Sequence, residues 1–206
     1  MNRDGATLSL KVILGTTRQS RFGDKPAHWI CEEASRLPNV EAELLDLRDY
    51  PMPFFDQPRS PAWGTGTYED PTVQRWADRI AAGDAFIVVS PEYNHGYPAV
   101  LKNAVDHIYA EWAQKPVGFL SYGNTGGARA VEQLRLVAVE MQMWPIRSAI
   151  HLPVDMYLAV MNEPVPANPE LFEPLKKGRV NVVERFFNEL VWAARALKQA
   201  RAGGVA

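Results

Sequence analysis

Five short apolar runs, each followed by an apolar pattern of helical period, limit what this chain can fold into. Leu8–Leu14 reads as a buried strand ended by Gly15, and Asp24–Leu37 follows with Trp29, Ile30, Ala34 and Leu37 on one helical face. Asp24 suits an N-cap, with Pro26 in the first turn. Val40–Leu47 alternates as a second strand, and Pro71–Ala82 is helical up to Gly83. Ala85–Val89 is a fully apolar strand, followed by a helix over Pro98–Trp112 with Val100, Leu101, Ala104, Val105 and Ile108 facing inward. Pro116–Leu120 is a fourth strand, Gly127–Met143 a long helix, Ile146–Leu152 a fifth strand and Val180–Lys198 a closing helix. Strand and helix alternating through short connections predict an α/β fold, a parallel sheet with helices on both faces. Five strands suit the order 2-1-3-4-5 better than the six-stranded dinucleotide-binding arrangement.

The 206 residues fit one domain spanning 1–206, large enough to bury about 70% of its unfolded surface. Eight of the 16 prolines fall in two connections, 47–70 and 155–178, expected to be long proline-rich loops, and a ninth, Pro71, closes the first. Each exceeds the roughly 2–6 residues usual between such elements, which marks them as candidates for an active-site cover or a subunit-contacting arm. Trp63 and Tyr68 in the first of them are placed to cover a ligand. The balance of 22 basic against 24 acidic side chains argues against nucleic acid or a polybasic membrane contact. Cys31 alone excludes an intrachain disulfide and any multi-cysteine metal site. The opening residues lack a signal-peptide pattern, and no apolar run approaches the ~20 residues of a membrane span, so a cytoplasmic location is expected.

In this architecture ligands bind where strands end and helices begin, so the loops after strands one, three and four carry the functional argument. Gly15-Thr16-Thr17-Arg18-Gln19-Ser20-Arg21-Phe22-Gly23 joins three hydroxyls and two guanidinium groups to a helix N-terminus. Those are the parts a phosphate monoester needs, at ~1.5–3 kcal/mol for each charge-assisted hydrogen bond. Neither the Gly-Lys-Ser/Thr of a P-loop nor Gly-x-Gly-x-x-Gly is present. The alternative is a polar turn with surface arginines. Ser90-Pro91-Glu92-Tyr93-Asn94-His95-Gly96-Tyr97-Pro98 is stiffened by its prolines and offers two flat rings, which suits a planar heterocycle or an ordinary tight loop. Ser121-Tyr122-Gly123-Asn124-Thr125-Gly126-Gly127-Ala128-Arg129 has three glycines that admit a ring close to backbone, or that serve its dihedrals alone. An anion loop beside two flat loops describes a mononucleotide such as FMN.

The run Pro91-Glu92-Tyr93-Asn94-His95-Gly96-Tyr97-Pro98, continuing through Leu101-Lys102-Asn103-Ala104 to Asp106, resembles the signature of NAD(P)H-dependent FMN reductases. Gly15-Thr16-Thr17-Arg18 with Arg21 resembles the phosphate loop of that family, and Tyr122-Gly123 with Gly126-Gly127-Ala128-Arg129 resembles its third loop. The resemblance spans about residues 10–155. It implies a flavodoxin-like fold and FMN bound through Thr16, Arg18, Ser20, Arg21 and Phe22 at the phosphate. Pro91, Glu92, Tyr93 and Asn94, mostly through backbone, would line one ring edge, with Ser121, Tyr122, Gly123 and Gly126 on another. It further implies NADPH or NADH as co-substrate, a small-molecule electron acceptor (quinone, azo compound, free flavin or metal oxyanion), ping-pong kinetics, and a homodimer or homotetramer. Thr16 stands where Ser is usual and Gly23 where Asn is common.

No other catalytic arrangement is legible. The four histidines lack metal-ligand spacing, no metal site is expected, and no Gly-x-Ser-x-Gly elbow exists. His95 alone lies in a candidate loop, and Cys31 falls inside the first helical pattern as a core thiol. No protein side chain is expected to be catalytic, since a flavin carries the redox chemistry itself. The competing reading is a non-catalytic FMN electron carrier or flavin-binding regulator on the same fold.

Overall fold

In the computed structural model, which describes residues 6–177 and 179–204, the five apolar runs pair side by side. Strands β1 (Leu8–Leu14), β2 (Val40–Asp46), β3 (Ala85–Pro91), β4 (Pro116–Tyr122) and β5 (Trp144–His151) form one sheet in the order β2-β1-β3-β4-β5. Every neighbouring pair is parallel. This is the expected flavodoxin-like arrangement.

Strand alternation divides the core into two layers. Leu8, Leu10, Val12 and Leu14 with Ala85, Ile87 and Val89 face helices α1 (Asp24–Ser35) and α7 (Val182–Ala202). Ile13, Phe86, Val88, Val117 and Phe119 face α2 (Pro71–Ala81), α3 (Ala99–Asp106) and α4 (Ala128–Glu140). Each buried Leu, Ile, Val or Phe contributes roughly 1.5–3 kcal/mol, so a sheet covered on both faces holds without staples. Helices α2 and α7 begin at side-chain caps, whereas Asp24, expected as the N-cap of α1, is its first helical residue and the cap position is Gly23, which has no side chain to offer. Asp70 accepts from the N–H groups of Thr72 and Val73 ahead of Pro71, and Asn181 accepts from Glu184 N–H. The Asn181 cap starts α7 two residues later than its apolar pattern suggested.

Two expectations need correction. The helix expected over Pro98–Trp112 stops at Asp106, and a separate 3₁₀ turn covers Ala110–Trp112. Tyr109 N–H donates to Glu111 Oε2 rather than to a carbonyl four residues back, and the His107 ring turns aside to Pro53 O at 2.8 Å. The second proline-rich segment is not a plain loop. It holds α5 (Val154–Val160), a 3₁₀ turn at Pro169–Phe172 and α6 (Pro174–Lys177), and sinks Met156, Val160, Phe172 and Leu175 into the core. Phe172 stacks on Trp29 of α1 with centroids 4.5 Å apart. Elements of four to seven residues are too short to show a helical period.

Because β1 lies between β2 and β3, the chain reverses its direction of travel across the sheet there. The carboxyl ends of β1, β3 and β4 come together beside that reversal: Leu14 pairs with Val89, and Pro91 with Tyr122. Among the described residues no helix is long and apolar enough to cross a membrane.

Candidate active site

A cavity of about 320 Å³ opens at these strand ends, lined in part by Arg18, Pro91–Asn94, Tyr122 and Gly123. Seven of the residues singled out in the sequence therefore meet around one space, drawn from three loops. His95, Asn124, Arg129 and Tyr157 also line it. His95, Asn124 and Arg129 lie inside the candidate loops. Tyr157 comes from α5, an element the sequence pattern did not show.

The first loop separates its two arginines. Arg18 is exposed, lines the cavity and has no carboxylate partner among the described residues. Arg21 is buried. Its guanidinium pairs with Asp24 and with Asp46 at the end of β2, and donates to Thr16 O. Burial alone would disfavour its charge, but hydrogen bonds to Asp46 and Asp24 outweigh that and raise its pKa. The same bonds hold Asp46 below its ordinary value, against the upward pull of its own burial. Arg21 thus braces the loop from beneath and does not line the cavity. Thr16 is also buried, with its hydroxyl 3.0 Å from that of Tyr93, which ties the first loop to the second. Ser20 is exposed with a left-handed φ of 52°. Phe22 is buried and does not line the cavity; its ring lies 4.8 Å from Tyr122 and 4.5 Å from Tyr157 and supports those two wall residues from behind.

Most donors of the second loop are already used. Glu92 N–H donates to Tyr122 O, Tyr93 N–H to Gly96 O, and Pro91 has none to give. The backbone expected to meet a ring edge therefore narrows to Asn94 N–H and the loop carbonyls. The Glu92 carboxylate, 3% exposed, crosses to the third loop, accepting from Arg129 N and Nε and pairing with Arg129 Nη2. Although burial pulls its pKa up, the Arg129 hydrogen bonds and charge hold it below the ordinary glutamate value.

In the third loop, Ser121 faces away from the cavity. Its hydroxyl donates to Gly126 O at 2.7 Å and lies 2.8 Å from His151 Nδ1, so the ring must carry its proton on Nδ1. Burial is the largest influence lowering the His151 pKa, which keeps the ring neutral near pH 7. Gly127 has φ 78°, and a Cβ there would meet Ser121 Cβ at 2.7 Å, so only glycine closes this turn. Gly126 and Ser121 act as a brace behind Gly123. The Tyr122 hydroxyl is buried without a hydrogen-bond partner among the described residues, and its burial raises the phenol pKa.

Three side groups fall elsewhere. Tyr68 donates to Glu111, Trp63 stands in solvent, and no residue of 47–70 lines the cavity. The half-buried Cys31 thiol is pushed up to about 11, chiefly by burial, which leaves it unreactive at neutral pH. Among the described residues no group of three potential metal ligands forms.

The residues fit a ring joined to a phosphate. One free guanidinium stands beside the polar loop, and one wall is aromatic. A Cβ on Gly123 (φ 151°) would fall 3.1 Å from Glu92 Cβ, between the two flat loops. Comparison with known proteins agrees. The family model for NADPH-dependent FMN reductase matches residues 9–155. An NAD(P)H-dependent FMN reductase of Schizosaccharomyces pombe is 37% identical over 174 residues, 84% of this chain and 87% of that protein. The NAD(P)H-dependent FMN reductase LOT6 of Saccharomyces cerevisiae is 31% identical over 71% of this chain and 82% of its own. Other matching relatives are named as quinone reductases and azoreductases. The solved structure of the flavoenzyme FerB, an NAD(P)H:(acceptor) oxidoreductase from Paracoccus denitrificans, has the same fold, with TM-score 0.65 and 22% identity over 91% of this chain and 99% of that one. The chain belongs to the NADPH-dependent FMN reductase family, oxidoreductases that work with FMN and NAD(P)H.

Proposed function

We propose that the cavity at the ends of β1, β3 and β4 holds FMN and that the chain passes reducing equivalents from NAD(P)H to small aromatic acceptors, quinones and azo compounds foremost. The observation that carries this reading is the separation of Arg18 from Arg21. One guanidinium is spent on carboxylates beneath the loop, and the other stands free at the cavity wall. FMN, when bound, supplies the redox chemistry, and the protein needs no dedicated acid, base or nucleophile. Arg18 and the loop Thr16–Phe22 would hold the phosphate. Asn94 and Gly123 would meet the ring edge, and Tyr122 and Tyr157 would form an apolar wall that keeps water from it. The Glu92–Arg129 pair holds the second and third loops at a constant separation, so the cavity is formed before a ligand enters.

With one such cavity, co-substrate and acceptor would use it in turn, which is a ping-pong sequence. The assembly would be a homodimer or homotetramer, as the family resemblance implies. Two measurements test the reading. The purified protein should be yellow, and its flavin absorption should bleach when NADH or NADPH is added without oxygen. A colourless protein, or a persistently oxidised spectrum, would overturn it. Steady-state double-reciprocal lines should run parallel as the acceptor is varied; intersecting lines remove the ping-pong order.

A further inference from the structure

Arg48 lies outside the three loops, two residues past the end of β2. We infer that Arg48 is a positioning residue for the anion loop, holding the carbonyls of the loop so that the N–H groups of Thr17 and Gln19 face an incoming phosphate. The inference rests on the FMN reading of the site.

The geometry begins with the carbonyls. Thr16 O accepts from Arg21 Nη1 at 2.5 Å, and Arg18 O accepts from Arg48 Nη2 at 2.6 Å. Thr17 O has a longer contact with Arg48 Nε, 3.5 Å. A trans peptide directs the carbonyl of one residue and the N–H of the next to opposite sides. Drawing Thr16 O and Arg18 O onto guanidinium groups therefore turns the N–H groups of Thr17 and Gln19 the other way. No described residue accepts from either of them. Ser20, with its left-handed φ of 52°, continues the curve, and such successive N–H groups form an anion-binding concavity.

The two arginines differ in charge balance. Arg21 is neutralised by Asp24 and Asp46. Arg48 has no carboxylate within ion-pair distance among the described residues, and its charge offsets the surplus negative charge left where two carboxylates meet the one guanidinium of Arg21. Asp46 links the two. Its carboxylate accepts from Arg21 and, through Oδ1, from Arg48 N–H at 2.9 Å. The end of β2 thus sets the shape of a loop 30 residues earlier in the chain. Arg48 also lines a second cavity of about 280 Å³ with Thr17, Tyr50, Met52 and Asn103. It acts on the first site through backbone, from the far side of the loop.

The test compares Arg48→Met, Arg48→Lys and Arg18→Ala in the full chain, by binding of FMN and of riboflavin to flavin-stripped protein and by KM and kcat for NADPH. Arg48→Met should raise the FMN dissociation constant about tenfold, the equivalent of one charged hydrogen bond, and leave riboflavin within about twofold. Arg48→Lys should recover only part of the loss, because an ammonium restores charge but not the fork. Equal losses for FMN and riboflavin would overturn the inference, since that is what simple structural damage does. So would unchanged FMN binding with a raised KM for NADPH, which would assign Arg48 to the co-substrate through the second cavity. Arg18→Ala separates the two levels. If it alone weakens FMN selectively, the FMN reading stands and the role of Arg48 falls; if neither variant distinguishes FMN from riboflavin, the FMN reading falls as well. Arg48→Lys decides the matter should the methionine variant not fold.

Discussion

A methyl group on Gly23 would lie 2.6 Å from the Tyr122 hydroxyl and 2.8 Å from Leu14 Cδ1. Tyr122 packs against Phe22 and lines the cavity beside Tyr157, so it cannot move aside without reshaping the cavity wall. Gly23→Ala should therefore cost roughly 1–3 kcal/mol of stability, as overpacking does. The Tyr122 hydroxyl has no partner among the described residues, so Tyr122→Phe alone should be near neutral or slightly stabilising. The double variant should regain part of what Gly23→Ala loses in a denaturant titration, the contact with Leu14 remaining. If it does no better than Gly23→Ala alone, the clash with the hydroxyl is not the cause. The sequence marks Gly23 only as a departure from the residue common in its family; the hydroxyl that demands it arrives from β4, 99 positions away by number.

Between elements, Lys115 makes the most instructive contact. It precedes β4, yet its Nζ reaches Ile80 O and Ala81 O at 2.8 Å each and caps the carboxyl end of α2. Burial, aided by Arg201, pulls its pKa down to about 8 from 10.5. In the unfolded chain the amine stays protonated up to its ordinary value. Between about pH 8 and 10.5 the unfolded state therefore binds more protons, and the contribution of Lys115 to stability rises with pH. The full shift corresponds to ~3 kcal/mol. Lys115→Met removes this titration, so the stability of the parent relative to the variant should climb across that window. A constant difference would show that Lys115 does not titrate there. The raised Tyr68 and Tyr122 phenols act oppositely above pH 10, and they do so in both proteins. Helices of ten or more residues were legible from their period, while α5, which carries Tyr157 to the cavity, was not. Seven residues make barely two turns, and Met156 and Val160 become a buried face only because the core lies beneath them.

For the molecule as a whole, a ligand that binds only the folded chain stabilises it by mass action. FMN at about 100 times its dissociation constant should contribute ~2.7 kcal/mol, a rise in Tm of roughly 5–10 °C for a chain of this size. Riboflavin at the same concentration should give a clearly smaller rise in a calorimetric scan. Equal rises would mean that the phosphate, and with it Arg18 and the loop Thr16–Phe22, contributes nothing. The same division between local and global information runs through the site. Strand count and the three loops were readable because alternation, helical period, glycine and proline act over a few neighbouring residues; the strand order followed by analogy with known five-stranded sheets. The sequence by itself thus determined the architecture and which loops meet around the cavity proposed to hold a ligand. It did not determine which charges remain free there. Arg18 and Arg21 are the same residue type three positions apart, and only Asp24, three residues past Arg21, tells one from the other locally. Asp46, arriving 25 residues later on the adjacent strand, takes Arg21 and leaves Arg18 to the cavity. Only the tertiary structure decided that, because a buried guanidinium must find a carboxylate, and which carboxylate is within reach depends on which strands become neighbours.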